Sequence, residues 1–203
     1  MPDVSIVDSH VHLWDPTVFR MPWLDGNKRL NRPYGLADYR EQTAGLPVEA
    51  IVYLQVEVMP AYGLLEARWA ADRAAEDGLL QAIVAWAPLE DGEACRSYLR
   101  ARVAVSSLIK GVRRVTQGEA DLEFVSRPGF VRAVRMLPEF NLSCDLCISH
   151  PQLRSAIALV RQCPETRFVL DHARCAVLLV PGGHQLPPPP PPPGPPPRPS
   201  AGR

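Results

Sequence analysis

Six short runs rich in Val, Ile and Leu punctuate the chain, at 4–8, 50–56, 82–86, 108–112, 142–148 and 167–170. Several are apolar almost without a break, as in Ala50-Ile-Val-Tyr-Leu-Gln-Val56. Such runs suit parallel strands covered on both faces. The segments between them read as helices. Residues 62–76 are rich in Ala, Leu, Glu and Arg, with Leu65 and Trp69 four apart on one face and Gly78 as a stop. Pro128 opens another helix that carries Val131 and Val134, and Ser149-His150-Pro151 opens a third, since proline is tolerated in a first turn. Leu153, Ile157 and Val160 then make an apolar stripe expected to pack on the sheet, and Pro164 closes the segment. The alternation predicts repeated βα units and an α/β fold.

Two regions break this pattern. In 13–49, Trp14, Trp23, Tyr34 and Tyr39 are interspersed with Pro16, Pro22, Pro33, Gly26 and Gly35. A long loop is expected there, with a short helix near 36–42; its aromatics either wall a substrate pocket or pack on one another. At Pro181 the chain turns to proline, with an unbroken run from Pro187 to Pro193. Residues 181–203 are therefore read as a polyproline II or disordered tail, separate from a domain at 1–180. A tail of this composition can engage an SH3-, WW- or profilin-like partner.

A chain of 203 residues holds one sizeable core. A complete eight-stranded β/α barrel usually needs about 250 residues. Lys+Arg and Asp+Glu both number 22, which gives no bias toward nucleic acid or an anionic membrane. No run approaches the roughly 18 apolar residues of a membrane span. The five cysteines are odd in number and no basic, then apolar, leader opens the chain, so a cytoplasmic protein with reduced thiols is expected. Cys144-Asp-Leu-Cys147 has no second CxxC to complete a zinc knuckle and reads as a strand with buried thiols.

Candidate chemistry gathers where the apolar runs end. His10 and His12 are two apart, so in a strand they share a face and address one centre. Two imidazoles there can coordinate a divalent metal, with Asp8 placed to fix a ring. Gln55 and Glu57 close the second run, Lys110, Arg113 and Arg114 surround the fourth, and Asp171 and His172 close the sixth. In a barrel these positions converge at one mouth. His, Glu and His can hold a metal-bound water there, or the histidines can polarise a carbonyl without metal. Arg113 or Lys110 can bind a substrate carboxylate or stabilise an oxyanion.

The stretches Ile6-Val-Asp-Ser-His-Val-His-Leu-Trp-Asp15, Tyr53-Leu-Gln-Val-Glu57, Ile109-Lys-Gly-Val-Arg-Arg-Val115 and Phe168-Val-Leu-Asp-His172 resemble, in this order, the amidohydrolase-related family of the metal-dependent hydrolase superfamily. The likeness is to its sugar-lactone and dicarboxylate-lactone hydrolase branch. It implies a distorted TIM barrel that opens a small lactone by water attack. It also implies His10, His12 and His172 as catalytic groups, and His10, His12, Glu57 and His172 as ligands of one divalent metal, zinc or manganese, in members that use one. Lys110, Arg113 and Glu57 would then bind substrate. The family pattern continues through two more strands to a late aspartate, whereas Asp171 is the last aspartate here. The expectation is an incomplete, C-terminally truncated TIM-like (β/α) barrel of about six strands. It would have little or no turnover, with open edges that a homo-oligomer could protect. The alternative is a noncatalytic interaction module that works through its proline-rich tail.

Overall fold

The computed structural model describes residues 4–171. His172 and the expected tail at 181–203 lie outside the described residues. Among those described, six strands form one sheet: β1 (Ile6–Val11), β2 (Val48–Leu54), β3 (Leu80–Trp86), β4 (Ile109–Val115), β5 (Ser143–Cys147) and β6 (Phe168–Leu170). They pair in chain order and are all parallel. Five α-helices intervene: α1 (Leu36–Gln42), α2 (Gly63–Glu76), α3 (Cys95–Val103), α4 (Pro128–Met136) and α5 (Leu153–Gln162). The sheet curls into an open half-barrel, because a strictly sequential parallel order with helical crossovers winds in one direction. Among the described residues no helix is long and apolar enough to cross a membrane.

The main core lies between the sheet and its helices. Ile51, Tyr53, Ile83, Val112, Cys144 and Leu146 meet Ala67, Ala70, Leu99, Val131, Val134 and Leu159 there. Burying each large aliphatic side chain contributes about 1.5–3 kcal/mol. A smaller cluster of Phe19, Met21, Leu24, Val56 and Val58 sits under the β1–α1 loop. That loop therefore has its own apolar footing and is anchored to the exit of β2.

The stripe expected to pack on the sheet does not. Leu153, Ile157 and Val160 are 48%, 44% and 39% exposed, and α5 instead buries Ser155, Ala156 and Leu159. An amphipathic period reveals that a face is apolar, but not which neighbour covers it. The strands also run further than their apolar residues: β1 reaches Val11 across an irregularity at Ser9 and His10, and β4 reaches Val115, taking Arg113 and Arg114 into the ladder. Cys144 and Cys147 are buried, as expected of strand thiols.

Candidate active site

The β1–β2 pairing carries His12 alongside the end of β2, where its Nδ1 lies 2.9 Å from Leu54 O. A carbonyl oxygen only accepts, so this bond places the proton on Nδ1 and leaves Nε2 with a lone pair. Burial, and after it the Arg113 charge, lower the His12 pKa to about 4, so the ring is neutral near pH 7. His10 Nε2 stands 3.1 Å from His12 Nε2, with the two rings edge to face. The ring is thus fixed by a backbone carbonyl and not by Asp8. The Asp8 carboxylate instead accepts the His10 backbone N–H at 3.2 Å and the Tyr39 hydroxyl at 2.9 Å.

Two histidine nitrogens 3.1 Å apart fit the donor spacing at one divalent ion, whose metal–nitrogen bonds are about 2.0–2.1 Å. A second partner fixing the tautomer of one ring is the usual companion of such a ligand. Among the described residues no three His, Cys, Asp or Glu side chains form a cluster able to hold a metal. The described chain therefore supplies two converging nitrogens.

At the strand exits lies a cavity of about 470 Å³ lined by His12, Trp14, Trp23, Gln55, Glu57 and Arg113, with Gln117 and Cys147 at its far side. The aromatic wall comes from the β1–α1 loop. Trp14 and Trp23 stand edge to face at 5.8 Å, and their indole N–H groups donate to Leu30 O and Val56 O. The loop aromatics thus do both things the sequence allowed: Trp14 and Trp23 line the cavity, while Tyr34 packs on Trp14 at 4.6 Å. Glu57 holds a left-handed φ of 53°, a conformation that costs a non-glycine residue about 1 kcal/mol or more. Its backbone N–H and carboxylate are both bound by the Gln55 side chain, at 2.6 and 3.0 Å.

Arg113 forms the floor. Nη1 donates to Asp171 Oδ2 at 2.9 Å and Nη2 to Gln55 O at 2.5 Å, so one guanidinium ties the ends of β2 and β6 to β4. Lys110 is not with it: that side chain lines a second cavity, inside the half-barrel, together with Ser143, Asp145 and Asp171. Arg114 is bound by Glu90 and Glu119 on the opposite side. The structure therefore brings His10 and His12 together, places Glu57 and Arg113 with His12 around one cavity, and places Lys110 at the other cavity, which His10 also borders. His172, the remaining expected site residue, lies outside the described residues.

Three further polar residues shape this region. Glu66 reaches from α2 to the β2 exit, where one carboxylate oxygen accepts both the Val56 N–H and the Tyr53 hydroxyl. Asp145 lies in the interior beside Arg113, and Gln117 approaches Cys147 at the cavity rim. A carboxylate inside an otherwise apolar strand, as in Ser143-Cys-Asp-Leu-Cys147, is the one signal that could have drawn attention to Asp145.

The sequence profile of the family described as Amidohydrolase matches residues 7–185. An L-fucono-1,5-lactonase from Burkholderia ambifaria is 25% identical over 171 residues, covering 82% of this chain and 56% of that protein. An uncharacterised Sinorhizobium fredii protein, y4mH, is 24% identical over 192 residues, covering 85% of this chain and 63% of that one. The chain thus spans 56–63% of the length of these two curated relatives. An amidohydrolase from Burkholderia multivorans superposes with a TM-score of 0.69 and 25% identity in a crystal with bound HEPES, covering 83% of this chain and 57% of that one. A second crystal of a B. multivorans amidohydrolase, with bound zinc, gives a TM-score of 0.68 at 23% identity, covering 83% and 58%.

Proposed function

Because the chain belongs to the amidohydrolase family, we propose that its strand-exit cavity is a hydrolase site for a small sugar lactone, opened by attack of water on the ring carbonyl. The observation that carries this reading is the convergence of the His10 and His12 Nε2 atoms beside a cavity of about 470 Å³ with an aromatic wall. The B. ambifaria relative, named as a lactonase, supports the substrate class, and the zinc in the B. multivorans amidohydrolase supports a metal.

In this reading His10 and His12 hold the divalent ion, and His172 is the residue we assign as their companion. A bound divalent ion supplies Lewis acidity to the lactone carbonyl and lowers the pKa of water. Trp14 and Trp23 cover one face of the sugar ring and keep bulk water away. Glu57 orients the attacking water and accepts its proton, which passes to the ring oxygen as the acyl C–O bond breaks. Arg113, its terminal nitrogens bound to Asp171 and Gln55 O, fixes the floor on which the lactone rests.

The same geometry favours a neutral lactone over a lactone carboxylate. Both terminal nitrogens of Arg113 are engaged, Arg114 is paired with two glutamates, and Lys110 lines the other cavity. None of these three side chains offers the mouth a free terminal cation.

The test is a pH-indicator assay of the full chain, with added zinc or manganese, against neutral aldonolactones and a dicarboxylate lactone. Slow but saturable hydrolysis of a neutral lactone, lost in His12→Ala, is the expected outcome, because Asp171 is the last aspartate of the chain. Absence of turnover with every lactone, or turnover untouched by His12→Ala, would overturn the reading.

A further inference from the structure

Glu57 leaves the strand path: its φ of 53° lies in the left-handed region, which a residue with a Cβ keeps only when its surroundings hold it there. The two residues before it are anchored on several sides. The Gln55 N–H donates to Val84 O at 3.0 Å, and its carbonyl accepts from Arg113 at 2.5 Å. The Val56 N–H donates to Glu66 at 2.7 Å, and its carbonyl accepts the Trp23 indole N–H at 2.7 Å. Strands β3 and β4, helix α2 and the β1–α1 loop thus all hold the main chain that leads into Glu57.

Glu57 itself is gripped by one side chain. Gln55 Oε1 accepts the Glu57 N–H at 2.6 Å, and Gln55 Nε2 donates to Glu57 Oε1 at 3.0 Å. A backbone N–H only donates, so it requires the amide oxygen and turns the amide nitrogen to the carboxylate, which accepts. Asparagine offers the same pair one methylene shorter, and glutamate lacks the donor. Gln55 is also fully buried, so the amide is held by packing as well as by its two bonds.

Strain and clamp therefore lie within three residues at the wall of the strand-exit cavity. Strained backbone persists where its surroundings over-determine it, and it gathers at functional sites. We propose that Gln55 is a positioning residue for Glu57: one end of its amide holds the left-handed turn and the other aims the carboxylate. This rests on the lactone reading, in which Glu57 orients the attacking water. Gln55 then acts on turnover through Glu57 and does not bond to the lactone.

The experiment compares the full chain as wild type, Gln55→Met, Glu57→Gln and the double variant, with added zinc, in the neutral-lactone assay and by amide hydrogen exchange. Methionine keeps the length of glutamine and removes both hydrogen-bonding ends. Gln55→Met should lower kcat by roughly 10–100-fold with KM within about threefold, since a small misplacement is enough for that. It should also let the Glu57 amide exchange about 10-fold faster or more. In Glu57→Gln the same substitution should lower kcat no further, because no carboxylate is left to aim. Losses that multiply in the double variant, or a change in KM alone, would overturn the proposal. Should Gln55→Met fail to fold, Gln55→Glu still accepts the Glu57 N–H without the donor, so exchange should stay slow while kcat falls. Wild-type kcat in that variant would equally refute it. A wild type that opens no lactone sinks the lactone reading alone, and the Glu57 amide then decides. Exchange accelerated by Gln55→Met supports the clamp, and unchanged exchange refutes it.

Discussion

Arg113 and Asp171 form a buried ion pair, 2.9 Å from Nη1 to Oδ2, with 4% and 1% of their side chains exposed. The Gln55 carbonyl on the other terminal nitrogen extends this link, so strands β2, β4 and β6 are joined through one residue at the floor of the cavity. Breaking such a pair leaves an uncompensated buried charge and costs about 3–5 kcal/mol, whereas removing both partners costs far less. Arg113→Met should therefore lower the urea midpoint sharply, and Arg113→Met with Asp171→Leu should recover a large part of the loss. Additive losses in the two single variants and the double variant would show that the pair is uncoupled.

His12 owes its tautomer to Leu54 O, so replacing the ring should affect metal affinity as well as turnover. Equilibrium dialysis of the full chain against zinc should show binding that weakens by roughly 10-fold or more in His10→Ala and in His12→Ala. Asp8→Asn should leave zinc binding within a few-fold of wild type, since that carboxylate holds a backbone N–H and Tyr39. Unchanged zinc binding in both histidine variants would remove the metal from the site.

The six strands were legible because parallel strands covered on both faces leave nearly continuous apolar runs. The short helix at Leu36–Gln42 and the proline-started helix at Pro128 were legible from their start and stop signals. What could not be read is relational. The ring of His12 is oriented by a carbonyl 42 residues away, which has no side-chain signature in the sequence. Arg113 and Lys110 look equivalent three residues apart, yet they border different cavities. The stripe on α5 was correctly seen as apolar and wrongly expected to be covered, because the helix buries Ser155, Ala156 and Leu159 instead.

Gly111 sits where any side chain would meet Ser143 Oγ, beside the carboxyl of Asp145. Ser143 Oγ would have to leave its rotamer, giving up its bond to Asp145, or the strand would have to shift. Gly111→Ala should destabilise by about 1–3 kcal/mol, in the range of core overpacking. The double variant Gly111→Ala, Ser143→Gly should regain part of that loss, measured again by urea midpoint. A neutral Gly111→Ala would show that the strand has slack here.

Glu66 supplies the pH dependence open to the most direct check. It is 1% exposed, next to the fully buried Arg102, and burial raises it from 4.5 to about 7 despite the bonds from Val56 and Tyr53. A carboxyl whose pKa is higher folded than unfolded binds more protons in the folded state between those two values. Its contribution to stability is therefore full below pH 4.5 and is lost as pH rises through about 7. The slope in that window is at most about 1.4 kcal/mol per pH unit. Glu66→Gln keeps an acceptor for Val56 N–H and the Tyr53 hydroxyl but cannot ionise. Urea midpoints taken from pH 5 to pH 8 should fall less steeply in Glu66→Gln than in wild type, with the two curves diverging as pH rises. Parallel curves would mean that Glu66 is ionised throughout, with Arg102 compensating its burial in full.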